Sequence, residues 1–511
     1  MSDDLHQLRV DLLSDFFLFN CFIFKERTGR DFIVSQPRSN ESHFLTICRA
    51  LEDVFFGRIQ YLAINCPPGW SKSSLLKNFI CWSTAWYNDS NHLYISYSHE
   101  LASSHTHEIK QTMMLPIYRK LFGVEINRES SAKDFFKTTA GGAVAAFGSS
   151  GAIVGRDAGL PGLDHYSGGV IIDDIHKPDE VHSDIIREKI IRNYIETIQP
   201  RTRGANVPII AIGQRLHQDD LFNYLIKGED GNDWHHVNIK AIDDAGNARY
   251  PEVMPLDKLL TMKKLQRYKF ASQYQQDPIP AGGGLYQEQD FVLLDNDPDM
   301  LSTFITADTA ETDKEWNDKT VFSFWGLYQI KIKNIAVPDL FALHWLDCRQ
   351  LQIEPKDLEE EFLDFWSSCM MYKTKPQCAI IEKKSTGVTL VSVLKRTQGL
   401  KVIGVERTVK SGSKTQRFID MQQFIAAKQI SLATTGKHTR MCISHMLDIT
   451  ANNTHRHDDI ADTCYDAVNA AFIDKTIMYQ TSHKTDYNQL AANMMSHQKQ
   501  VDFARKRAYG N

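Results

Sequence analysis

Three acidic corners in the second half of the chain stand where carboxylates can share divalent metal ions. Asp308 closes the apolar run Thr303–Ala307, Glu382 closes Cys378–Ile381, and the adjacent Asp458 and Asp459 open an apolar-periodic segment. Two strands that end in a carboxylate and a helix that begins with one can converge on two cations, which activate a water and stabilise the leaving oxygen of a phosphodiester. Asp308, Glu382, Asp458 and Asp459 are therefore the expected metal ligands and hydrolytic residues. The expected ion is Mg²⁺ or Mn²⁺, because the corners are hard oxygen donors and no cysteine lies near in sequence. His455 and His457 beside Asp458 leave a transition-metal reading open, and Asp318 reads either as an outer-shell carboxylate or as a turn residue.

A second constellation lies upstream. Tyr61–Cys66 reads as a buried strand, the segment from Pro67 to Ser74 as a tight loop, and the apolar stretch to Trp86 as a helix. A strand, a loop with Lys-Ser at its end and a helix form the context of a phosphate-binding loop. In that reading Pro68, Gly69, Trp70, Ser71, Lys72, Ser73 and Ser74 surround the phosphates of ATP. Lys72 sits on their negative charge and the Ser73 hydroxyl on Mg²⁺. In the frame G-x-x-x-x-G-K-[ST], Cys66 and Ser71 occupy the glycine positions, so an ordinary capped helix is the alternative. Ser71 is accordingly expected to keep an ordinary non-glycine backbone, with N–H groups of residues 69–73 on the phosphates.

Gly168–Ile172 followed by Asp173-Asp174 supplies a partner, a short strand ending in two carboxylates. Asp173 is expected to hold the Mg²⁺ and Asp174 to orient or deprotonate the attacking water; a strand end capped by Asp at a turn is the alternative. A third strand, Val207–Gly213, ends in Gln214-Arg215-Leu-His217, polar groups placed to sense the γ-phosphate, with Gln214 among the nucleotide contacts.

The elements that must position these residues follow from periodicity and punctuation. Alternating strands and helices from about 42 to 250 imply a parallel sheet covered on both faces. Val321–Leu327 and Phe341–Leu346 read as further strands and Pro355–Cys369 as a helix, so that three strands, a helix and a fourth strand follow from Thr303. That meander and crossover is the layout of an RNase H-like nuclease. The fold class is α/β, a parallel-sheet ATPase domain of the phosphate-loop type followed by an RNase H-like mixed-sheet domain. Gln275–Gly284, with two prolines and three consecutive glycines, reads as a linker. The expected division is a cap at 1–41, a motor domain at 42–274, a linker at 275–286, a nuclease domain at 287–475 and a polar tail at 476–511. The chain carries 58 basic and 63 acidic residues and a net charge of −5, so nucleic-acid binding needs a local basic face. Glu406-Arg407 through Lys410, Lys414 and Arg417 offers such a run, either for phosphate contacts or as solvated charge. The nine cysteines show no metal-ligand spacing and read as free thiols in a reducing compartment. No stretch is apolar enough to span a membrane.

Several blocks in the right order resemble the large subunit of tailed-phage DNA-packaging terminases. They are Ile64–Ser73, Ile95–Ala102, Gly155–Ala158, Ile171–Asp174, Ile212–His217 and Tyr274–Pro278, then Asp308–Ala310, Ile381-Glu382 with Ser385 and Gly387, and His457–Asp459. Gly69 and Ser71 depart from the family's usual loop. The resemblance implies an ATPase that drives double-stranded DNA into a procapsid and a nuclease that cuts the concatemer. It also implies a portal protein and a small terminase subunit as partners, a homo-oligomeric ring, and action in the host cell cytoplasm without membrane attachment. Arg156 is then suited to reach a neighbouring subunit's nucleotide as an arginine finger, a surface arginine being the alternative. An assembly protein with a lapsed ATPase, or an RNase H-like recombination nuclease without a motor role, stays open at this point.

Overall fold

The computed structural model describes the chain apart from residues 1–2, 39–40, 152, 154, 205, 279–283, 311–318, 333–334, 408–412, 452–456 and 478–511. The chain forms two compact units. The first comprises Met1–Leu285, Val409–Gln423 and Thr450–Thr454, and the second Tyr286–Thr408, Phe424–Ile449 and His455–Asn511. Asp318, His455 and Lys410, three of the secondary candidates above, lie outside the described residues, as do two of the three glycines of the expected linker.

The first unit is built on eight strands: β1 (Tyr61–Asn65), β2 (Asn91–Ser96), β3 (Ile126–Ser131), β4 (Phe135–Thr138), β5 (Ala143–Gly148), β6 (Val170–Asp173), β7 (Ile209–Gly213) and β8 (His235–Asn238). Their order is β3-β4-β5-β2-β6-β7-β1-β8. From β5 to β8 in that order every pairing is parallel, and β4 alone runs against the rest, antiparallel to both β3 and β5. Strands buried on both faces read as continuous apolar runs, and successive side chains serve opposite cores. Leu62, Ile64, Ile171, Ile210 and Ile212 enter one cluster together with Leu75, Leu76, Phe79 and Trp82 of the helix Lys72–Trp86. Ala63, Val170, Ile172, Ile209 and Ala211 enter the other with Ile190, Leu221 and Leu225. Full burial of each large apolar side chain contributes about 1.5–3 kcal/mol, which holds the loop ahead of that helix against the sheet end.

The second unit carries β9 (Val292–Leu294), β10 (Ser302–Asp308), β11 (Thr320–Ile332), β12 (Ile335–Leu351), β13 (Pro376–Glu382), β14 (Val402–Val405) and β15 (Ile430–Ala433) in the order β14-β13-β10-β11-β12-β15-β9. β10, β11 and β12 form the antiparallel meander. The chain then crosses over through the helix Leu358–Cys369 and returns as β13, parallel to β10. β11 and β12 run well beyond the apolar segments read from sequence, because their pairing continues into residues that alternate polar and apolar. Phe362 and Phe365 of the crossover helix and Leu390, Val391 and Leu394 of the helix Thr386–Leu394 cover one face of this sheet. Buried polar contacts pin the helix Asp459–Val468 to the other face. The Thr306 hydroxyl donates to the Thr463 carbonyl at 2.9 Å, and Ser323 and Thr463 share a hydroxyl contact of 2.8 Å. All nine cysteines are free thiols. Among the described residues no helix is long and apolar enough to cross a membrane.

Candidate functional site

The expected nucleotide residues meet at the carboxyl end of the first sheet. β7 lies between β1 and β6, with Asn65 beside Gly213 and Asp173 beside Ile212. The segments leaving β1, β6 and β7 therefore emerge side by side, in the crevice where parallel sheets bind ligands. Lys72, with its side chain 7 % exposed, places Nζ 3.0 Å from Asp174 Oδ2. The Ser73 hydroxyl donates to Asp173 Oδ1 at 3.1 Å. Gln214 donates its backbone N–H to Asp174. The buried Gln214 Oε1 has no hydrogen-bond partner among the described residues.

The loop backbone corrects one expectation. Ser71 does not keep an ordinary geometry: its φ is 57° and its ψ 16°, the left-handed region that glycine occupies without strain. Gly69 is also left-handed, at φ 76°. The turn that glycine makes in this motif is thus made here by a serine, at a conformational cost of about 1–2 kcal/mol. Trp70 is anchored rather than exposed: its ring packs 4.8 Å from that of His43 and 5.5 Å from that of Tyr250. Of that residue only the backbone is offered to the crevice. Pro68 is half-buried and Gly69 exposed, while Ser74 continues the first turn of the helix.

Asp173 and Asp174 are driven apart electrostatically. Burial pushes the Asp173 carboxyl up, but a hydrogen bond from His105, the Lys72 charge and the Tyr94 hydroxyl together hold it below the usual carboxylate range. Burial and the neighbouring Asp173 charge hold Asp174 above that range, against the opposing pull of Lys72. The Lys72 ammonium is disfavoured by burial yet raised overall by Asp174 and Asp173. One member of the pair is thereby kept anionic and the other is the better proton acceptor. Asp174 also has a strained backbone, φ 45°, held on both sides: its N–H donates to the Ile212 carbonyl at 2.9 Å and its carbonyl accepts from Tyr97 at 3.2 Å.

Tyr94 and His105 are the residues that the sequence reading missed here. The Tyr94 hydroxyl donates to Asp173 Oδ2 at 2.6 Å, and His105 Nδ1 lies 3.3 Å from the same oxygen. A tyrosine in the middle of a fully buried strand was the available signal, since its hydroxyl must find a partner. Arg156 lies elsewhere. Its guanidinium stacks 3.6 Å from the centroid of Phe135 on β4, in a cavity of about 340 Å³ also lined by Lys137, Asp157 and Arg203. Arg215 is structural, with Nε 2.9 Å from Asp220 Oδ1.

In the second unit Asp308 and Glu382 are the last residues of the parallel neighbours β10 and β13, whose register pairs Ala307 with Ile381. Asp458 is the N-cap of the helix Asp459–Val468 and Asp459 its first residue. Gly387 is required beside Glu382, because a Cβ there would lie 2.1 Å from the Glu382 carbonyl oxygen. These donors are chemically suited to a hard divalent cation. Among the described residues, however, no three His, Cys, Asp or Glu side chains are gathered closely enough to hold a metal. What Glu382 meets is a guanidinium. Arg407 Nε lies 2.7 Å from Glu382 Oε2, and Arg407 Nη2 lies 3.0 Å from Asp466 Oδ1 and 3.8 Å from Asp462 Oδ1. Arg407 is therefore committed to carboxylates and not to a phosphate-binding run, and Arg417 of that run is buried. Asp462 and Asp466 also went unread. They continue the i, i+3, i+7 stripe from Asp459, a pattern that ordinarily marks a solvated face but is buried here.

No protein-family profile matches the chain, nor does any curated sequence. The large terminase of a thermophilic bacteriophage is 12% identical, with 82% of this chain and 98% of that one covered and a TM-score of 0.45. The same protein in complex with ADP gives 12%, 83%, 99% and 0.45. The large terminase of bacteriophage HK97 is 12% identical, covering 83% of this chain and 94% of its own, with a TM-score of 0.33. These matches each cover more than four fifths of this chain.

Proposed function

We propose that the chain is the large subunit of a viral DNA-packaging terminase, an ATP-driven translocase of double-stranded DNA joined to a metal-dependent endonuclease. The observation that carries this reading is the convergence of Lys72 and Ser73 with Asp173 and Asp174 across three parallel strand ends. Lys72 would compensate the charge of the ATP phosphates, Ser73 and Asp173 would hold Mg²⁺, and Asp174 would orient and deprotonate the attacking water. Gln214, on the neighbouring strand end, senses the γ-phosphate. Arg156 acts in a neighbouring subunit of a homo-oligomeric ring, assembled on the portal of a procapsid with a small terminase subunit. Residues 42–274 form the motor and 287–475 the nuclease, in which Asp308, Glu382, Asp458 and Asp459 would hold Mg²⁺ or Mn²⁺, although these side chains are not gathered into a metal-binding group among the described residues. A metal held there would supply water activation and leaving-group stabilisation. Against a lapsed ATPase, whose basis is the lost loop glycines, speaks the left-handed Ser71, which makes the turn a glycine would make. The test is ATP turnover by the purified chain with and without double-stranded DNA, alongside Mn²⁺-dependent cutting of a plasmid. Absence of turnover under both conditions would refute the motor; turnover without cutting would refute the nuclease alone.

A further inference from the structure

Ser71 has a backbone conformation that a serine leaves when nothing pins it. Its φ of 57° and ψ of 16° are left-handed, and its side chain makes no capping hydrogen bond to the helix Lys72–Trp86 in compensation. Such a conformation persists where its surroundings over-determine it. Both neighbours of Ser71 are fixed. Lys72 is tied to Asp174 across the crevice. Trp70 is 1 % exposed, with its ring 4.8 Å from that of His43 and 5.5 Å from that of Tyr250. Its Nε1 has no hydrogen-bond partner among the described residues, so packing holds the ring. The two rings that receive it are fixed in turn. The Tyr250 hydroxyl donates to the Ile33 carbonyl at 2.7 Å, and its ring meets that of Phe44 edge-on at 5.4 Å. His43 Nδ1 shares a hydrogen bond of 2.9 Å with the Ser35 hydroxyl.

We propose that Trp70 is a positioning residue of the nucleotide site: seated against His43 and Tyr250, its ring keeps Ser71 left-handed and so holds the loop preformed for phosphates. This rests on the phosphate-loop reading of residues 67–74. A free serine populates the left-handed region less than its ordinary geometry by a factor of about 5–30. A loop that is competent only for that fraction of the time binds its ligand more weakly by the same factor. Glycine carries no such penalty, so the anchor becomes dispensable when residue 71 is a glycine. The aromatic anchor thus does for this loop what the glycine of the usual motif does by its own freedom.

Calorimetric titration of the full chain with ADP tests this. Trp70→Leu should bind ADP about 5–30-fold more weakly than the parent. Trp70→Leu/Ser71→Gly should return to within about threefold of the parent, because the turn no longer needs an anchor. A ring that only filled the core would not be replaced by a glycine at the next residue, so the rescue separates positioning from bulk stability. If Trp70→Leu does not fold, Tyr250→Leu, which removes the edge contact and leaves Trp70 in place, is compared with Tyr250→Leu/Ser71→Gly and should show the same loss and recovery. Unchanged ADP affinity in Trp70→Leu, or a loss that Ser71→Gly does not restore, would overturn the positioning role and leave the phosphate loop standing. No ADP binding by the parent would overturn both.

Discussion

Replacing Lys72 by Met tests the crevice through stability and activity at once. The Lys72 ammonium lies 3.0 Å from Asp174 with its side chain 7 % exposed, whereas that of Asp174 is 25 % exposed. Removing one partner of a fully buried pair costs about 3–5 kcal/mol, because a desolvated charge is left behind. The partial exposure of Asp174 reduces this to about 2–3 kcal/mol, and the persisting Asp173 charge opposes further relief. A loss of that size lowers the melting temperature of a unit this large by about 5–10 °C. Lys72→Met/Asp174→Asn, which removes both charges, should recover at least about half of it. Circular-dichroism melts in nucleotide-free buffer give the cycle, and phosphate release measures turnover, which should fall by about 10² or more in Lys72→Met. A single variant that melts within about a degree of the parent would mean that the pair is not formed. Undiminished ATP turnover would mean that the assigned loop does not hold phosphates.

Other perturbations separate the remaining assignments. Ser71→Gly relieves a left-handed serine and should raise stability by about 0.5–1 kcal/mol, seen as a higher denaturant midpoint, with ATP binding retained; a loss of stability would refute the strain argument. Burial holds His43 and His92 down to about 3 and His176 and His217 down to about 4, below the ordinary value of about 6.5. Between those values the unfolded chain binds protons that the native one does not, so stability is full above about pH 6.5 and falls as the pH drops, by about 1.4 kcal/mol per pH unit for each histidine. Denaturant titrations from about pH 7 to pH 5 measure that slope, and His92→Leu, which removes a ring with no partner for either nitrogen among the described residues, should lower it by about one proton. Asp308→Ala should abolish Mn²⁺-dependent plasmid cutting and leave ATP turnover intact; wild-type cleavage, with contaminating nuclease excluded, would refute that corner. Arg156→Ala should bind ATP but hydrolyse it poorly, with partial rescue on mixing with Lys72→Ala protein; no recovery at any ratio would refute action between subunits.

The sequence by itself determined the elements and the chain positions of the candidate residues. An apolar run with a carboxylate at its end is legible because strand periodicity and the change to polar residues are local, and so Asp173, Asp308 and Glu382 fall at the ends of β6, β10 and β13. The meander, crossover and return of the second unit followed from the same signal. Partners across the fold are another matter, and only the tertiary structure decided them. The insertion of β7 between β1 and β6, the left-handed turn at Ser71, and the meeting of Tyr94 and His105 on Asp173 depend on strand order and on which faces pack together. Period alone assigns a side chain to a face of its own element and says nothing of the element opposite. Arg407 shows this most plainly: a cation in a basic run reads as a solvated or phosphate-binding group, and nothing local marks Asp462 and Asp466 as buried. Their burial against one another is decided by long-range packing, because ions that are costly to bury singly can be buried once folding brings opposite charges within hydrogen-bonding reach.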